Sequence, residues 1–521
     1  MSTNAVDRAA QAPDGRPWWP AWVGLVPYLA LALGQRWICD DALISFRYAR
    51  HLVEGLGLRF NASEAPAVEG YSNLAWILAL APFEALGLEL TGVSQVLSIA
   101  CGAALIALCA RLAQRRFAVS AASTIGVSCV LGCLPSTTVW ATSGLETMAF
   151  ALALFGVFER LDARSTRAAA ACAIAATWLR ADGAVWVAAV LGAAAFARST
   201  SWATVARVAL ALAIAVAAQL ALRRIVHGDW LPNTAHAKVG ASALRTERGF
   251  AYVVSFVLAE PALLVALLAS MLYGLRGTAR LISSLLAIFG FACAASVYVG
   301  GDFMPYGRFL VPATPFVVLS AATAWKRLEP SRALSVGFST VLVALSIAPL
   351  IGLEPAPRAL RQRFHFRWNR PDAITEREQW RAMRERQEFW SKAAAVIARH
   401  TRPGESMVLD AVGALGYRTE LELFDMYGLV SPEVARRGAP PVRASAGHDL
   451  KVEPEFFLER QPDYIGAALA TSDTALDYGL PADWRTRPWA ARLRIERAQL
   501  EPSDGFPART ELRLFRLDWT Q

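Results

Sequence analysis

The chain has 521 residues, of which 55% are hydrophobic and 18% charged, which excludes an ordinary water-soluble enzyme and fits a polytopic membrane protein with a soluble appendage. Its net charge of +9 rests almost wholly on arginine, because Lys238, Lys326, Lys392 and Lys451 are the only lysines. No basic block is interleaved with aromatics, so nucleic acid is not an expected partner, and arginine-rich composition follows from GC-rich coding.

The first apolar run, 19–38, is long and lacks a small-residue cleavage site, so it reads as a retained span and not a signal peptide. A spanning helix needs about 20 mostly apolar residues. Further runs lie at 93–111, 118–135, 146–161, 167–180, 184–198, 204–222, 250–273, 280–299, 309–325 and 332–351. The reading is about eleven transmembrane helices, and 167–198 would also serve as one kinked element. The segment 74–90 is apolar too. Counting it as a span would invert every later loop, and the positive-inside rule argues for an interfacial or re-entrant segment instead. Arg111, Arg115, Arg116, Arg160, Arg164, Arg167, Arg198, Arg276, Arg280, Lys326, Arg327 and Arg332 then share the cytoplasmic face with the N-terminus. The opposite face receives 39–92, 136–145, 181–183, 223–249, 300–308 and everything after 352.

Residues 1–351 therefore read as a transmembrane domain, with a first outer loop, 39–92, that carries juxtamembrane helices. Residues 352–521 read as a small extracytoplasmic α/β domain. In it, 376–400 has helical spacing of Trp380, Met383, Phe389, Trp390, Ala393 and Ile397, and 406–410, 420–425, 464–465 and 512–517 have strand character. All seven cysteines precede residue 300, so this domain holds no disulfide.

The polar motifs crowd the outer face. Asp40 and Asp41 close the first apolar run, where an ionised pair loses hydration and marks a site. The plain alternative is a helix N-cap, since 42–50 reads as a short amphipathic helix. Downstream stand Val68-Glu-Gly-Tyr-Ser-Asn-Leu-Ala-Trp76, Ser143-Gly-Leu-Glu146, Leu231-Pro-Asn-Thr234, Gly300-Gly-Asp-Phe-Met304 with Arg308, and Asp425-Met-Tyr-Gly-Leu429. In this order they resemble bacterial GT-C glycosyltransferases, in particular the mycobacterial terminal β-arabinofuranosyltransferases and their relatives. The resemblance runs from residue 40 to about 465. It implies inverting transfer of a sugar from a polyprenyl-phosphate donor to an envelope glycan, lipid or protein, on the outer face of the inner membrane. No Gly-rich phosphate loop follows a strand, consistent with a donor that is not a nucleotide sugar.

The resemblance implies roles that the chemistry supports. An inverting transfer needs a base for the acceptor hydroxyl, and Asp41 is the choice, with Asp40 as partner or metal ligand. Guanidinium groups fork onto phosphate oxygens, so Arg308, Arg180, Lys238 and Arg47 are the candidate cations for the donor phosphate. Snorkelling at helix ends is the competing explanation for such residues. Glu69, Tyr71, Asn73 and Trp76 would hold sugar, as would Glu146, Asp302 and His236. The alternative for the first four is a turn ahead of an interfacial helix. Asp40, Asp41, Glu146 and Asp302 are the set that would take a divalent cation such as Mg, Mn or Ca, and no spacing suggests zinc. The rival function is a transporter or flippase of lipid-linked sugars, although no internal repeat is evident. For Asp425-Met-Tyr-Gly-Leu429 the preferred reading is a strand-turn with a left-handed glycine.

Overall fold

Each apolar run of the sequence folds as helix. A computed structural model describes residues 16–116, 118–238, 243–274, 280–328, 330–438, 446, 449–471 and 479–520. Among these, Leu90–Arg116, Trp202–His227, Arg280–Val299, Pro305–Arg327 and Arg332–Ile351 are long and apolar enough to cross a membrane. The sixth candidate is a bent pair, Ala243–Ala259 and Pro261–Tyr273, which meet at 98°. Proline at 261 has no N–H to continue the first helix, so the single span expected at 250–273 is a broken one.

The count of eleven is thus not reproduced by length and composition. The remaining runs form shorter helices, including Leu25–Gly34, Ala121–Cys133, Thr147–Asp162, Thr166–Leu179 and Gly183–Phe196. Thr166–Leu179 and Gly183–Phe196 are separate helices, with Arg180 ending the first in an extended conformation. Segment 74–90 contributes a 12-residue helix, Leu74–Ala85, shorter than a span requires.

The chain forms two compact units that do not divide at 351/352. The first comprises Met1–Trp37, Ser94–Ala217 and Ala241–Trp380, and the second Ile38–Val93, Ala218–Gly240 and Arg381–Gln521. The first outer loop therefore belongs with the C-terminal domain, and residues 352–380 with the helical unit.

In the first unit, helices pack in neighbouring pairs: Thr147–Asp162 on Thr166–Leu179, Ala121–Cys133 on Arg332–Ile347, and Ala243–Ala259 on Arg280–Val299. All seven cysteines are free thiols.

The second unit is built on a five-stranded sheet of β1 (Ser406–Leu409), β2 (Glu422–Asp425), β3 (Tyr464–Thr471), β4 (Leu493–Gln499) and β5 (Thr510–Leu517), in the order β2-β1-β3-β5-β4. β1 runs parallel to β2 and β3, and β5 antiparallel to β3 and β4. β4 escaped the sequence reading because its charges (Arg494, Glu496, Arg497) mask the alternation of an edge strand. At the other edge, Asn61 pairs with β2 as a strand would. Its Nδ2 donates to the Leu423 carbonyl at 3.0 Å and its Oδ1 accepts the Leu423 amide at 2.9 Å.

The helix Asp40–Val53 carries the side chains that hold this loop. Arg47 is buried and donates to the carbonyls of Phe60 (2.5 Å), Gly416 (2.6 Å) and Leu421 (2.7 Å). Tyr48 donates to the Val68 carbonyl at 2.6 Å and accepts the Gly70 amide at 2.9 Å. Glu64 accepts the amides of Phe60, Asn61 and Val68. Replacing Arg47 by Met strands three buried carbonyls, and a loss of about 2–4 kcal/mol is expected. It should appear as a lower thermal midpoint of the detergent-purified protein, and an unchanged midpoint would contradict the tie.

Candidate functional site

In the helical unit the segment 300–308 has an unusual backbone. Gly300, Gly301, Tyr306 and Gly307 all have positive φ, and Tyr306 at 50° is rare for a bulky residue. Gly307 is required there, since a Cβ would lie 2.3 Å from the Phe256 ring. Such conformations persist only where the surroundings over-determine them.

Here they do. Arg248 donates to the Gly300 carbonyl at 2.8 Å, and Arg367 to those of Phe303 (2.9 Å) and Met304 (3.2 Å). Glu376 accepts the Tyr306 amide at 2.6 Å while holding Arg367 with both oxygens at 2.8 Å. The Trp140 indole donates to the Pro305 carbonyl at 3.0 Å, and Tyr252 accepts the Phe309 amide at 3.2 Å.

The segment so fixed presents Arg308. Its guanidinium pairs with Asp302 at 2.8 Å and lies over Trp140 (5.8 Å) and Phe309 (5.2 Å). Arg180 approaches the same Phe309 ring at 5.5 Å, with Phe150 at 5.1 Å, and forks onto Asp182 at 2.8 and 2.9 Å. Arg180 also senses the charges of Glu146 and Arg308. Glu146 is buried and begins the helix Thr147–Asp162 without a side-chain cap bond, so capping does not explain it. Four residues singled out in sequence, Glu146, Arg180, Asp302 and Arg308, thus share one neighbourhood. Sequence reasoning missed Trp140, Phe150, Tyr252 and Phe309, which are indistinguishable from core aromatics in apolar runs. It also missed Arg367 and Glu376, which follow residue 351 and were assigned to the other domain.

Asp40 and Asp41 start the helix Asp40–Val53 in the second unit. Asp40 does not cap its own helix. Its carboxylate accepts the amides of Gly413 (3.0 Å) and Ala414 (2.9 Å), at the start of the helix Gly413–Arg418. Gly413 is needed for this approach, since a Cβ would sit 2.1 Å from the Asp40 carbonyl. Burial, then the neighbouring Asp41 carboxylate, push Asp40 up to about 6 although both amides favour the ionised form. Asp40 is therefore an anchor within its unit. Asp41 lies half-buried in the same first turn.

The remaining sugar candidates are drawn into the frame of the loop. Glu69 forms a buried, two-pronged ion pair with Arg223. The Tyr71 hydroxyl donates to His227 Nε2 at 3.1 Å, while His227 Nδ1 donates to the Ala67 carbonyl. Asn73 accepts from Ser45 at 3.1 Å, and Trp76 is buried. His236 meets Asp229 at 3.1 Å. Lys238 ends the helix Asn233–Lys238, and its side chain lies outside the described residues. Arg47, placed among the phosphate cations by sequence, spends its guanidinium on carbonyls. Among the described residues no group of three or more His, Cys, Asp or Glu is arranged to hold a metal. Asp425 accepts the amides of Tyr427, Leu429 and Val430, and Gly428 has φ 79°, the turn that sequence favoured.

Solved structures similar to this chain include ArnT from Cupriavidus metallidurans in the apo state and bound to undecaprenyl phosphate. The first aligns at a TM-score of 0.54 and 14% identity over 94% of this chain and 97% of that one. The second aligns at 0.55 and 13%, over 94% and 96%. The chain has the ArnT fold. Residues 373–511 match a family model described as a domain of unknown function, DUF8728. No curated protein matches. Within the ArnT fold, the DUF8728 match covers mostly the sheet-bearing unit.

The raised Asp40 carboxyl gives a signed expectation. With a folded value near 6 against an ordinary 3.8, the folded state binds more protons between those values. Stability should therefore fall as pH rises from about 4 to about 6. Asp40→Asn should flatten that segment of the profile; an identical slope in the variant would refute the assignment.

Proposed function

We propose that the protein is an inverting glycosyltransferase that moves a sugar from a polyprenyl-phosphate donor to an envelope glycan, lipid or protein. The observation that carries this reading is the convergence of Arg180 and Arg308 on Phe309, in a chain with the fold of ArnT. One of the ArnT structures is bound to undecaprenyl phosphate, and by analogy a lipid phosphate is the donor group here.

Two guanidinium groups suit a departing phosphate, because they fork onto its oxygens and stay charged when buried. Both are already paired, Arg308 with Asp302 and Arg180 with Asp182. The pairing keeps the cations in place without a ligand and lets an incoming phosphate share them. Aromatic rings beneath each guanidinium limit its rotamers. By the resemblance of the motifs, Asp41 is the base that takes the acceptor hydroxyl proton. The attack on the anomeric carbon forms the new glycosidic bond as the bond to the lipid phosphate breaks, and the phosphate leaves with the electron pair. The resemblance of the motifs to arabinofuranosyltransferases makes a pentofuranose the first sugar to test.

The reading places the protein in the bacterial inner membrane, with the N-terminus cytoplasmic and the C-terminal domain periplasmic. The five long apolar helices support the membrane setting.

Three measurements test it. Envelope glycans of a deletion strain should lack one terminal sugar by mass spectrometry. Asp41→Asn should lower transfer in isolated membranes by about 10²–10⁴-fold while the protein still inserts. Arg308→Met should weaken binding of undecaprenyl phosphate by about tenfold or more. Transfer unaffected by both substitutions, or export of an intact lipid-linked sugar without bond formation, would remove the enzyme reading.

A further inference from the structure

The second unit contains a cavity of about 420 Å³ lined by the first outer loop, the segment 227–233, β2 and residues that follow β2. That volume is in the range of small-molecule sites, roughly 300–1,000 Å³. None of the residues proposed for donor binding or proton transfer lines it.

The distribution of charge in its walls is informative. Five carboxylates border the cavity, those of Glu64, Glu69, Asp229, Glu422 and Glu433. Each has a partner from the protein. Arg436 meets Asp229 at 2.8 Å and Arg460 meets Glu433 at 3.1 Å. Glu69 pairs with Arg223, Glu64 holds three backbone amides, and Glu422 accepts the Ser63 amide (3.1 Å) and hydroxyl (2.8 Å).

A free anion would have to displace a carboxylate from Arg436 or Arg460. A free cation would have to displace an arginine from Glu69, Asp229 or Glu433, or the neutral N–H and O–H donors already held by Glu64 and Glu422. What these pairs still offer is adjacent acceptor lone pairs and donor N–H groups, a few ångströms apart and held by their own partners. Neighbouring hydroxyls, each both donor and acceptor, satisfy such a surface without disturbing its charge balance. Arg436 and Arg460 are 58% and 53% exposed, so they are reachable from solvent. Phe424, Pro66, Pro432 and Leu231 supply apolar patches between the polar groups, against which C–H faces can pack.

We propose that this cavity is a binding subsite for an uncharged segment of a glycan, the acceptor chain of the transfer reaction. The acceptor assignment rests on the glycosyltransferase reading, whereas binding of a neutral sugar chain does not.

The test uses the full-length protein in lipid nanodiscs. Oligosaccharides are released by mild acid from the envelope of cells that carry the protein, and ion exchange separates them into neutral, amino-sugar and uronic-acid pools. Saturation-transfer NMR and titration then measure binding of each pool. The neutral pool should bind, and the charged pools should not bind more tightly. Glu433→Gln, which loosens the Arg460 pair, and Leu231→Trp, which narrows the mouth from an exposed position, should each weaken it about tenfold. Circular dichroism and an unchanged thermal midpoint check that both variants fold. Arg308→Met should leave this binding unchanged. No binding, tighter binding of a charged pool, or affinity untouched by both variants overturns the proposal. If the neutral pool binds as expected but no sugar is transferred from any polyprenyl-phosphate donor, the subsite stands and the enzyme reading falls.

Discussion

A buried guanidinium ringed by three backbone carbonyls is the constraint on which the second unit depends. The loop 54–73 has no regular secondary structure apart from turns, yet much of 67–74 is buried, so its peptide groups need partners from elsewhere. Arg47 satisfies carbonyls of this loop and of the C-terminal domain with one side chain. Asp40 does the complementary work for amides, and Asn61 and Glu64 complete it. A loop held in this manner can be irregular and still be rigid. That is the condition under which a neighbouring carboxylate such as Asp41 keeps a defined position.

The helical unit solves a related problem by different means. Its segment 300–308 adopts left-handed backbone at several residues, and that conformation is costly outside glycine. Arg248, Arg367, Glu376, Trp140 and Tyr252 each contact a different backbone N–H or C=O of that segment or of Phe309. The result is a side chain, Arg308, whose direction is set by backbone geometry and not by its own rotamer freedom. Arg180 reaches the same ring from the extended residue that ends a helix. Two cations held near each other repel, and Asp302, Asp182 and Glu146 offset that repulsion.

Much of this was legible before any coordinates. Hydropathy located the helical segments. Periodicity placed the helix Glu376–His400 and all strands but β4. The short polar phrases identified Arg308, Asp302 and Glu146 as worth inspecting, and its expected place on the outer face identified Arg180. They could not separate residues that face a site from residues that build its frame. Tyr71 and Asn73 have the chemistry of sugar ligands, yet the Tyr71 hydroxyl meets His227 and the Asn73 side-chain oxygen meets Ser45. Arg47 looked like a phosphate cation for the same reason, since a guanidinium suits carbonyl oxygens as well as phosphate.

Composition and apolar periodicity alone determined that this chain is mostly helical, that several of its helices can span a bilayer, and that a small α/β domain ends it. These properties depend on side-chain polarity along the chain, which is a local quantity. Only the tertiary structure decided which unit each segment joins, that Asp40 anchors a helix more than 370 residues further along, and that Arg180 and Arg308 meet over one phenyl ring. Those outcomes depend on which buried polar group finds which partner. Partners distant in sequence leave no periodic trace, so no pattern along the chain encodes the pairing.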